Sequence, residues 1–512
     1  MSERVRAADR DGPVRLRIAE LAADLDASLA ELRRSPARVA QSRERVEAAL
    51  VDGDAYYGIN TGFGILASQR IPRDQLAQLQ HNLILSHAVG VGEPVPVEIT
   101  RLMLRLKIHA LGLGYSGVSL GTFERLLAFD ELGLVPVVPS RGSLGASGDL
   151  APLAHLALPL LGRGRVWDGK GRDGEPAIEA LARCGLEPIA LEAKDGLALI
   201  NGTQLMSAYG AWILGSALEL VRLVDVVATM SLEALRGSAR PFDERVHATR
   251  PHPGQGAVAH NVRRLLEGSE ILESHRFCGR VQDPYSLRCV PQVHGASRDA
   301  LGHAVEVVER ELNSVTDNPL VFEDGAVISG GNFHGQPLAL ALDYAAIALA
   351  ELASISERRT YLLLGGHDGL PVLLMRETGV NSGFMVPQYT AASLVSENKI
   401  LCHPASVDSI PTSLGQEDHV SMGSISALKL YDVLRNVEQV VAIELFTAAQ
   451  ALDFRAPLRP GRGVEVAHRA LRAEVPHREA DGDFEHDLRL CAEVIRGAAL
   501  LAEVEGEIGA LA

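Results

Sequence analysis

Aromatic side chains are scarce in this sequence, 4% of 512 residues. A core short of large rings must be packed from aliphatic and small side chains, which suits long helices that approach closely. Cysteine is rarer still. Cys184, Cys278, Cys289, Cys402 and Cys491 are scattered, with no C-x-x-C spacing. That pattern argues against a thiolate zinc site and for a reducing cytoplasm. Other metal signatures are missing too: there is no H-E-x-x-H, and Asp418-His419 has no ligand partner at convincing spacing. Ser396-Glu397-Asn398-Lys399 fits S-x-x-K, but the K-T-G that a penicillin-binding enzyme needs does not occur. No apolar run reaches membrane-spanning length, since the segment from Pro337 is cut by Asp343. The start, Met1-Ser2-Glu3-Arg4, lacks the apolar centre of a signal peptide. Positive charge is outweighed, with a net charge of −16, so neither nucleic acid nor an anionic membrane is an expected partner.

What is present is the balance of a globular enzyme with a large core, 47% hydrophobic and 22% charged. Helical periodicity marks 28–32, 39–51, 76–85 and 102–111. Longer helical patterns cover 204–235, 291–315, 335–364, 388–400, 425–452 and 487–508. The expected fold class is mainly α: an elongated long-helix bundle core with a smaller N-terminal loop-and-helix domain. The expected division is 1–113, carrying the loop around Tyr57 and His87, and 114–512, the helical core. Residues 163–179 are glycine-rich and charged, and read as a small β-excursion or surface loop. Gly112-Leu113-Gly114-Tyr115-Ser116-Gly117 matches G-x-G-x-x-G but follows a helix. A dinucleotide fingerprint must follow a strand, so this stretch ends a helix and opens a loop.

The stretch around which the chain is organised is Pro139 to Leu156, centred on Ala146-Ser147-Gly148. Three readings are open. The first is a glycine-rich entry to a helix, with Asp149 near its N-terminus. The second is a serine nucleophile elbow, but G-x-S-x-G fails because Asp149 stands where the last glycine belongs. The third is backbone cyclisation. The Gly148 nitrogen attacks the Ala146 carbonyl, and Ser147 loses its hydroxyl to leave an electrophilic methylene. Small Ala146 leaves the carbonyl open, and Gly148 has no Cβ to shield its nitrogen. The reacting amide must leave planarity, so the scaffold must hold it strained.

Polar islands interrupt the apolar helices elsewhere: Tyr56 to Gly64, Asn201-Gly202-Thr203, Val281 to Cys289, Thr316 to Leu320, Ser329 to Gly335 and Ser413 to Met422. Polar clusters are costly if merely buried, so together they suggest a shared pocket between helices. In Gln282-Asp283-Pro284-Tyr285, Asp283 is the expected helix cap with Pro284 at the first helical position. Gln282, Tyr285 and Arg288, at steps of three, are expected to share a face.

In this order and spacing, from about residue 50 to about residue 455, the islands resemble those of the MIO-dependent aromatic amino acid ammonia-lyases. The resemblance implies a 4-methylidene-imidazol-5-one (MIO) group formed from Ala146, Ser147 and Gly148, with no external cofactor. It implies a homotetramer whose active sites draw on three subunits, acting on a small amino acid. Ser86-His87 and Glu417 look like the histidine-type members, which implies release of ammonia from L-histidine to give trans-urocanate. Tyr57 is then the first choice as base, with a depressed pKa or a concerted transfer, and Tyr285 the second. Arg288 would hold the substrate carboxylate as a fork. Asn201 and Gln282 would add amide hydrogen bonds, Phe333 would pack near the electrophile, and His87 with Glu417 would face the imidazole. The alternatives are a tyrosine or phenylalanine ammonia-lyase, a 2,3-aminomutase, and a catalytically silent helical scaffold.

Overall fold

The computed structural model describes residues 13–51, 54–62, 64, 69–169, 174–277 and 279–512. Cys278 and parts of the Tyr57 loop and of the 163–179 excursion lie outside the described residues.

The chain is mainly α, as its periodicity predicts, and strands are confined to three short antiparallel pairs among the described residues. Val91–Pro94 pairs with Pro139–Arg141, in the register Val91 to Arg141 and Pro94 to Pro139. Arg165–Val166 pairs with Glu175–Pro176, so the 163–179 stretch does carry a β-excursion. Leu320–Val321 pairs with Val327–Ile328.

Two compact units are discontinuous in sequence. The first comprises 1–212, 305–342 and 405–428, and the second 213–304, 343–404 and 429–512. The segment 1–113 lies wholly within the first unit. Apart from the one at 404/405, the divisions fall inside the four longest patterned helices, Gln204–Ala234, Val290–Leu312, Gln336–Leu363 and Gly423–Asp453.

In the first unit three helices pack on one another and carry much of the polar chemistry: Leu76–His87, Leu150–Ala157 and Asp195–Ile200. The first buries Leu76, Gln80, Leu83 and Ile84, an i, i+4, i+7, i+8 stripe. Gln80 is polar yet fully buried, and its Oε1 accepts the Leu197 N–H at 3.2 Å, a donor the short helix leaves unpaired. Asp195 opens that short helix. Its carboxylate accepts from Ser119 N (2.7 Å), Ser119 Oγ (2.7 Å) and Thr122 Oγ1 (2.8 Å).

The second unit is packed from small and aliphatic residues, such as Ala345, Ala346 and Ala353 with Ala442, Ala448 and Ala449, all buried. Its core also holds a fully buried fork: Arg359 Nε and Nη2 reach the two Glu444 oxygens at 2.6 and 2.7 Å. Ser231 Oγ adds a third contact to Glu444 at 2.6 Å. A buried pair of this kind fixes one arrangement, because either member left alone would be an uncompensated charge.

Two local expectations are corrected. Residues 487–508 form two helices, Phe484–Arg496 and Ala499–Ile508, because Gly497 is extended (φ −89°, ψ 147°) and breaks the ladder. Asp283 does not cap the following helix. Its carboxylate takes the Ser238 N–H at 2.6 Å and Arg280 Nη1 at 3.0 Å, while Pro284 directly precedes the single turn Tyr285–Arg288. The helix Gln336–Leu363 is long and apolar enough to cross a membrane by length and composition, although Asp343 lies within it. The stretch is mostly buried, and Asp343 pairs with Lys429 at 3.1 Å. The interruption at Asp343 therefore does not shorten the helix, because a buried ion pair satisfies the carboxylate.

Candidate active site

The three-helix corner sets a cavity of about 480 Å³ within the first unit, its walls mainly apolar with a few polar side chains. Among its lining residues are Tyr57, His87, Ser147, Asn201 and Glu417, contributed by five separate stretches of sequence. Each is placed by a local device. His87 is the last residue of Leu76–His87, and Ser147 lies in the bend before Leu150–Ala157. Asn201 follows Asp195–Ile200 in extended conformation (φ −86°, ψ 132°). Glu417 is held by antiparallel bridging to Thr412 and by Thr412 Oγ1 on its Oε2 at 2.8 Å.

The Ala146–Gly148 bend is strained. Ser147 has φ +53°, unusual for a residue with a side chain, and Gly148 follows at φ +79°. Gly148 pairs in parallel with Gly202: Asp149 N donates to Gly202 O at 2.7 Å. A Cβ at Gly148 would stand 2.1 Å from that carbonyl oxygen, so only glycine fits. The Ser147 hydroxyl donates to Glu417 Oε1 at 3.1 Å. The bend is therefore strained, closed to any side chain at Gly148, and has its hydroxyl on a carboxylate.

Asp149 departs from the simple helix-entry reading. It makes no side-chain cap to the helix it precedes. Its Oδ2 instead takes the Leu205 and Met206 N–H groups at 2.9 and 3.1 Å, at the N-terminus of Gln204–Ala234. Burial pushes this carboxyl up to about 7, against the pull of those two donors.

The titrating groups on the cavity are shifted by burial as well. Burial raises Tyr57, Glu417 adds to the rise, and the Gly64 N–H donated to the phenol oxygen at 3.2 Å opposes it. The depressed pKa sought for a tyrosine base is thus absent here, and the shift runs the other way. Burial lowers His87, while the Leu83 backbone and Glu417 act in the opposite sense. Its Nδ1 lies 3.0 Å from Ser86 Oγ.

The other expected residues are not among the cavity's described lining residues. Phe333 is half-buried in the first unit, beside the stacked rings of His334 and His419, whose centroids are 5.9 Å apart. Gln282, Tyr285 and Arg288 belong to the second unit. Gln282 is exposed, and Tyr285 is 70% exposed. The Arg288 guanidinium covers the Tyr285 ring at 4.5 Å and donates Nε to Asp283 O at 3.0 Å. Among the described residues no carboxylate pairs with it.

The sequence reading passed over Thr412, which orients Glu417, and Lys107. Lys107 interrupts an apolar run and shares the i, i+4, i+7, i+11 stripe of Thr100, Leu104 and Leu111 in Val97–Gly112. A lysine on a buried stripe was a legible signal.

A mainly helical chain with a cavity of few polar groups beside a strained Ala-Ser-Gly bend has the make-up of a helical carbon–nitrogen lyase. The model of the aromatic amino acid lyase family matches residues 16–473, and the chain belongs to that family. It is 55% identical to the histidine ammonia-lyase of Anaeromyxobacter sp. (strain K) over 467 residues, 90% of this chain and 92% of that one. With the histidine ammonia-lyase of Sorangium cellulosum it shares 54% identity over 93% of this chain and 94% of that one. The crystal structure of histidine ammonia-lyase from Trypanosoma cruzi superposes with a TM-score of 0.84 at 43% identity, covering 92% and 89% of the two chains. A tyrosine aminomutase from Streptomyces globisporus gives 0.88 at 35% identity, covering 96% and 97%.

Proposed function

We propose that the protein eliminates ammonia from L-histidine to give trans-urocanate. The observation that carries this reading is the strained Ser147 whose hydroxyl sits on Glu417, in a cavity shared with His87 and Tyr57. Its relatives named histidine ammonia-lyase support it.

The bend at Ala146–Gly148 fits an MIO group: two successive left-handed residues and a glycine with no room for a Cβ. When formed, that group supplies a covalent electrophile at the substrate's amino end. The chain's own residues do the rest. Glu417 Oε1 is held by the Ser147 hydroxyl, so loss of that hydroxyl frees it to accept an imidazole N–H. His87, kept neutral by burial, completes the pair on the ring. Asn201 Nδ2 is 3.4 Å from Asn318 O, and its Oδ1 is a buried acceptor without a partner, which suits the substrate ammonium. Tyr57 takes the β-proton. Its raised pKa makes phenolate scarce at neutral pH, so turnover should climb on the alkaline side. Arg288, Tyr285 and Gln282 bind the carboxylate and amine end, with Phe333 near the bend. The exposure of Gln282 and Tyr285 in a single chain supports sites completed by neighbouring subunits of a homotetramer. We place the enzyme in the reducing cytoplasm, supported by the unpaired Cys184, Cys289, Cys402 and Cys491.

Two measurements test the reading together. Intact mass should fall short of the sequence mass by about 36 Da, two waters. Ultraviolet assays should record urocanate from L-histidine, with little cinnamate or coumarate from L-phenylalanine or L-tyrosine. A full sequence mass removes the cyclisation. A β-amino acid product would make the enzyme an aminomutase.

A further inference from the structure

Behind the cavity lies a buried charged cluster that none of the roles above uses. Lys107 is 2% exposed and belongs to the helix Val97–Gly112. Its Nζ donates to the backbone carbonyl of Asn201 at 2.7 Å and lies 3.5 Å from Gln204 Oε1. A charged donor on a neutral carbonyl, deep in the first unit, carries a large desolvation cost. Burial draws the ammonium down to about 7, and Lys194 adds to that, while Asp317 and Asp149 oppose it. Lys194 itself is spent on Asp317, at 2.7 Å. Asp149 is taken up by the Leu205 and Met206 N–H groups, and Glu311 takes Thr203 Oγ1 at 2.7 Å. Lys107 therefore has no direct carboxylate partner among the described residues, and its one short contact is the Asn201 carbonyl.

That carbonyl begins the peptide Asn201–Gly202, and Gly202 is the residue that pairs with the reactive bend. The Gly202 oxygen receives Asp149 N–H at 2.7 Å, and the Gly202 N–H points to Ser147 O at 3.5 Å. Gly202 sits at φ +130°, where a Cβ would stand 2.5 Å from Gln204 Oε1 and 2.9 Å from Thr316 Oγ1, so the position admits only glycine and leaves the adjoining peptide to be held by its hydrogen bonds. One polar contact thus runs from Lys107 through Asn201–Gly202 to the backbone on both sides of Gly148.

We propose that Lys107 is a positioning residue for self-processing, its ammonium clamping Asn201–Gly202 so that the Gly148 nitrogen is held against the Ala146 carbonyl. This rests on the cyclisation reading. In that step the Gly148 nitrogen bonds to the Ala146 carbonyl carbon. The carbonyl oxygen leaves as water with the Gly148 and Ser147 amide hydrogens. Ser147 then loses its Cα hydrogen and its hydroxyl as the second water. Lys107 exchanges no atom in either loss. It restricts the geometry in which the first bond forms, and a misplaced reacting atom slows such a step severely.

The test uses the full chain, purified as the folded oligomer, with the unsubstituted protein, Lys107→Gln, Lys107→Met, Lys107→Arg and Leu104→Ala side by side. Leu104 is a buried neighbour on the same helix, so its truncation matches a general loss of packing. Intact mass gives the processed fraction directly. The unsubstituted protein should be fully processed, about 36 Da light. Lys107→Gln and Lys107→Met should leave more than half of the folded chains at full mass, and Lys107→Arg should recover most of the deficit. Leu104→Ala should melt earlier yet remain fully processed. kcat per total protein should fall with the processed fraction while KM stays within about twofold, because only processed chains turn over. If Lys107→Met gives no folded protein, Lys107→Gln decides alone, since its amide can still fill the polar site without charge. Complete processing in Lys107→Gln, or equal loss in Leu104→Ala, overturns the proposal. A full-mass unsubstituted protein overturns the cyclisation reading instead, which keeps the two failures apart.

Discussion

At the scale of single residues, the proposed function makes His87 and Glu417 the source of selectivity. An imidazole presents two nitrogens, one to each. A phenyl ring would offer no partner to Glu417 Oε1 or to the second His87 ring nitrogen. A site built to hydrogen-bond a substrate group rejects an analogue lacking it by roughly 10⁴-fold. L-histidine should therefore lead L-phenylalanine by about that ratio in kcat/KM, with L-tyrosine also poor. His87→Leu with Glu417→Gln should cut histidine turnover most and admit phenylalanine weakly. Competitive assays of the three substrates check both, and a faster phenylalanine rate in the unsubstituted enzyme would reverse the substrate assignment.

A second residue-scale prediction concerns Asp149. Burial holds its carboxyl at about 7 in the folded chain, against roughly 3.9 when unfolded. Between those values the unfolded chain has released a proton that the folded chain keeps. The group therefore lowers stability progressively as pH rises from about 4 to about 7. The amide introduced by Asp149→Asn cannot ionise, but its oxygen still accepts from the Leu205 and Met206 N–H groups. The melting temperature of Asp149→Asn, minus that of the unsubstituted protein, should rise across this window and level off above it. A difference that is flat with pH would mean that Asp149 is ionised in the fold at all these values.

At the scale of elements, the pairing of Gly148 with Gly202 decides the site. Gly148→Ala places a methyl group 2.1 Å from the Gly202 oxygen, at a φ of +79° that alanine resists. The cost is on the order of 2 kcal/mol or more. The variant should stay helical by circular dichroism, melt several degrees lower, and keep its full sequence mass. A fully processed, active alanine variant would show that the Gly148–Gly202 contact is not what holds the bend. The same scale explains why the helix over 487–508 splits: the apolar period runs through Gly497, but glycine is a poor helix former and here turns extended.

At the scale of the whole molecule, the chain exposes apolar side chains in ordered positions. Leu340, Tyr344 and Ile347 lie at i, i+4 and i+7 of Gln336–Leu363 and are all exposed, as are Val386 and Tyr389 on Met385–Leu401. An apolar stripe of this kind calls for another protein surface. Tyr285 and Arg288, stacked on each other with the tyrosine ring exposed, fit the same reading. Dilution should lower the oligomer and the activity together, measured by sedimentation and by urocanate formation across one concentration series. Arg288→Lys should raise KM for histidine roughly tenfold or more, because a point charge replaces a fork. A fully active monomer would confine the site to one chain.

The sequence by itself determined the helical class, and it named five residues that one cavity brings together, for physical reasons. Long helices leave a period in their apolar residues, as in 204–235 and 425–452. Polar islands such as Ser413 to Met422 stand out because burying them without partners is costly. Tyr57, Asn201 and Glu417 stand in such islands and Ser147 in the central bend, whereas His87 ends a helix and was singled out only by its resemblance to the histidine-type lyases. Only the tertiary structure decided how those residues meet. Asp149 serves the helix beginning at Gln204 rather than its own, and Glu417 holds the Ser147 hydroxyl across 270 residues of chain. Burial then reversed the expected direction for Tyr57. Distance in the chain carries no distance in space, and the desolvation that sets each pKa depends on every neighbour the fold brings close.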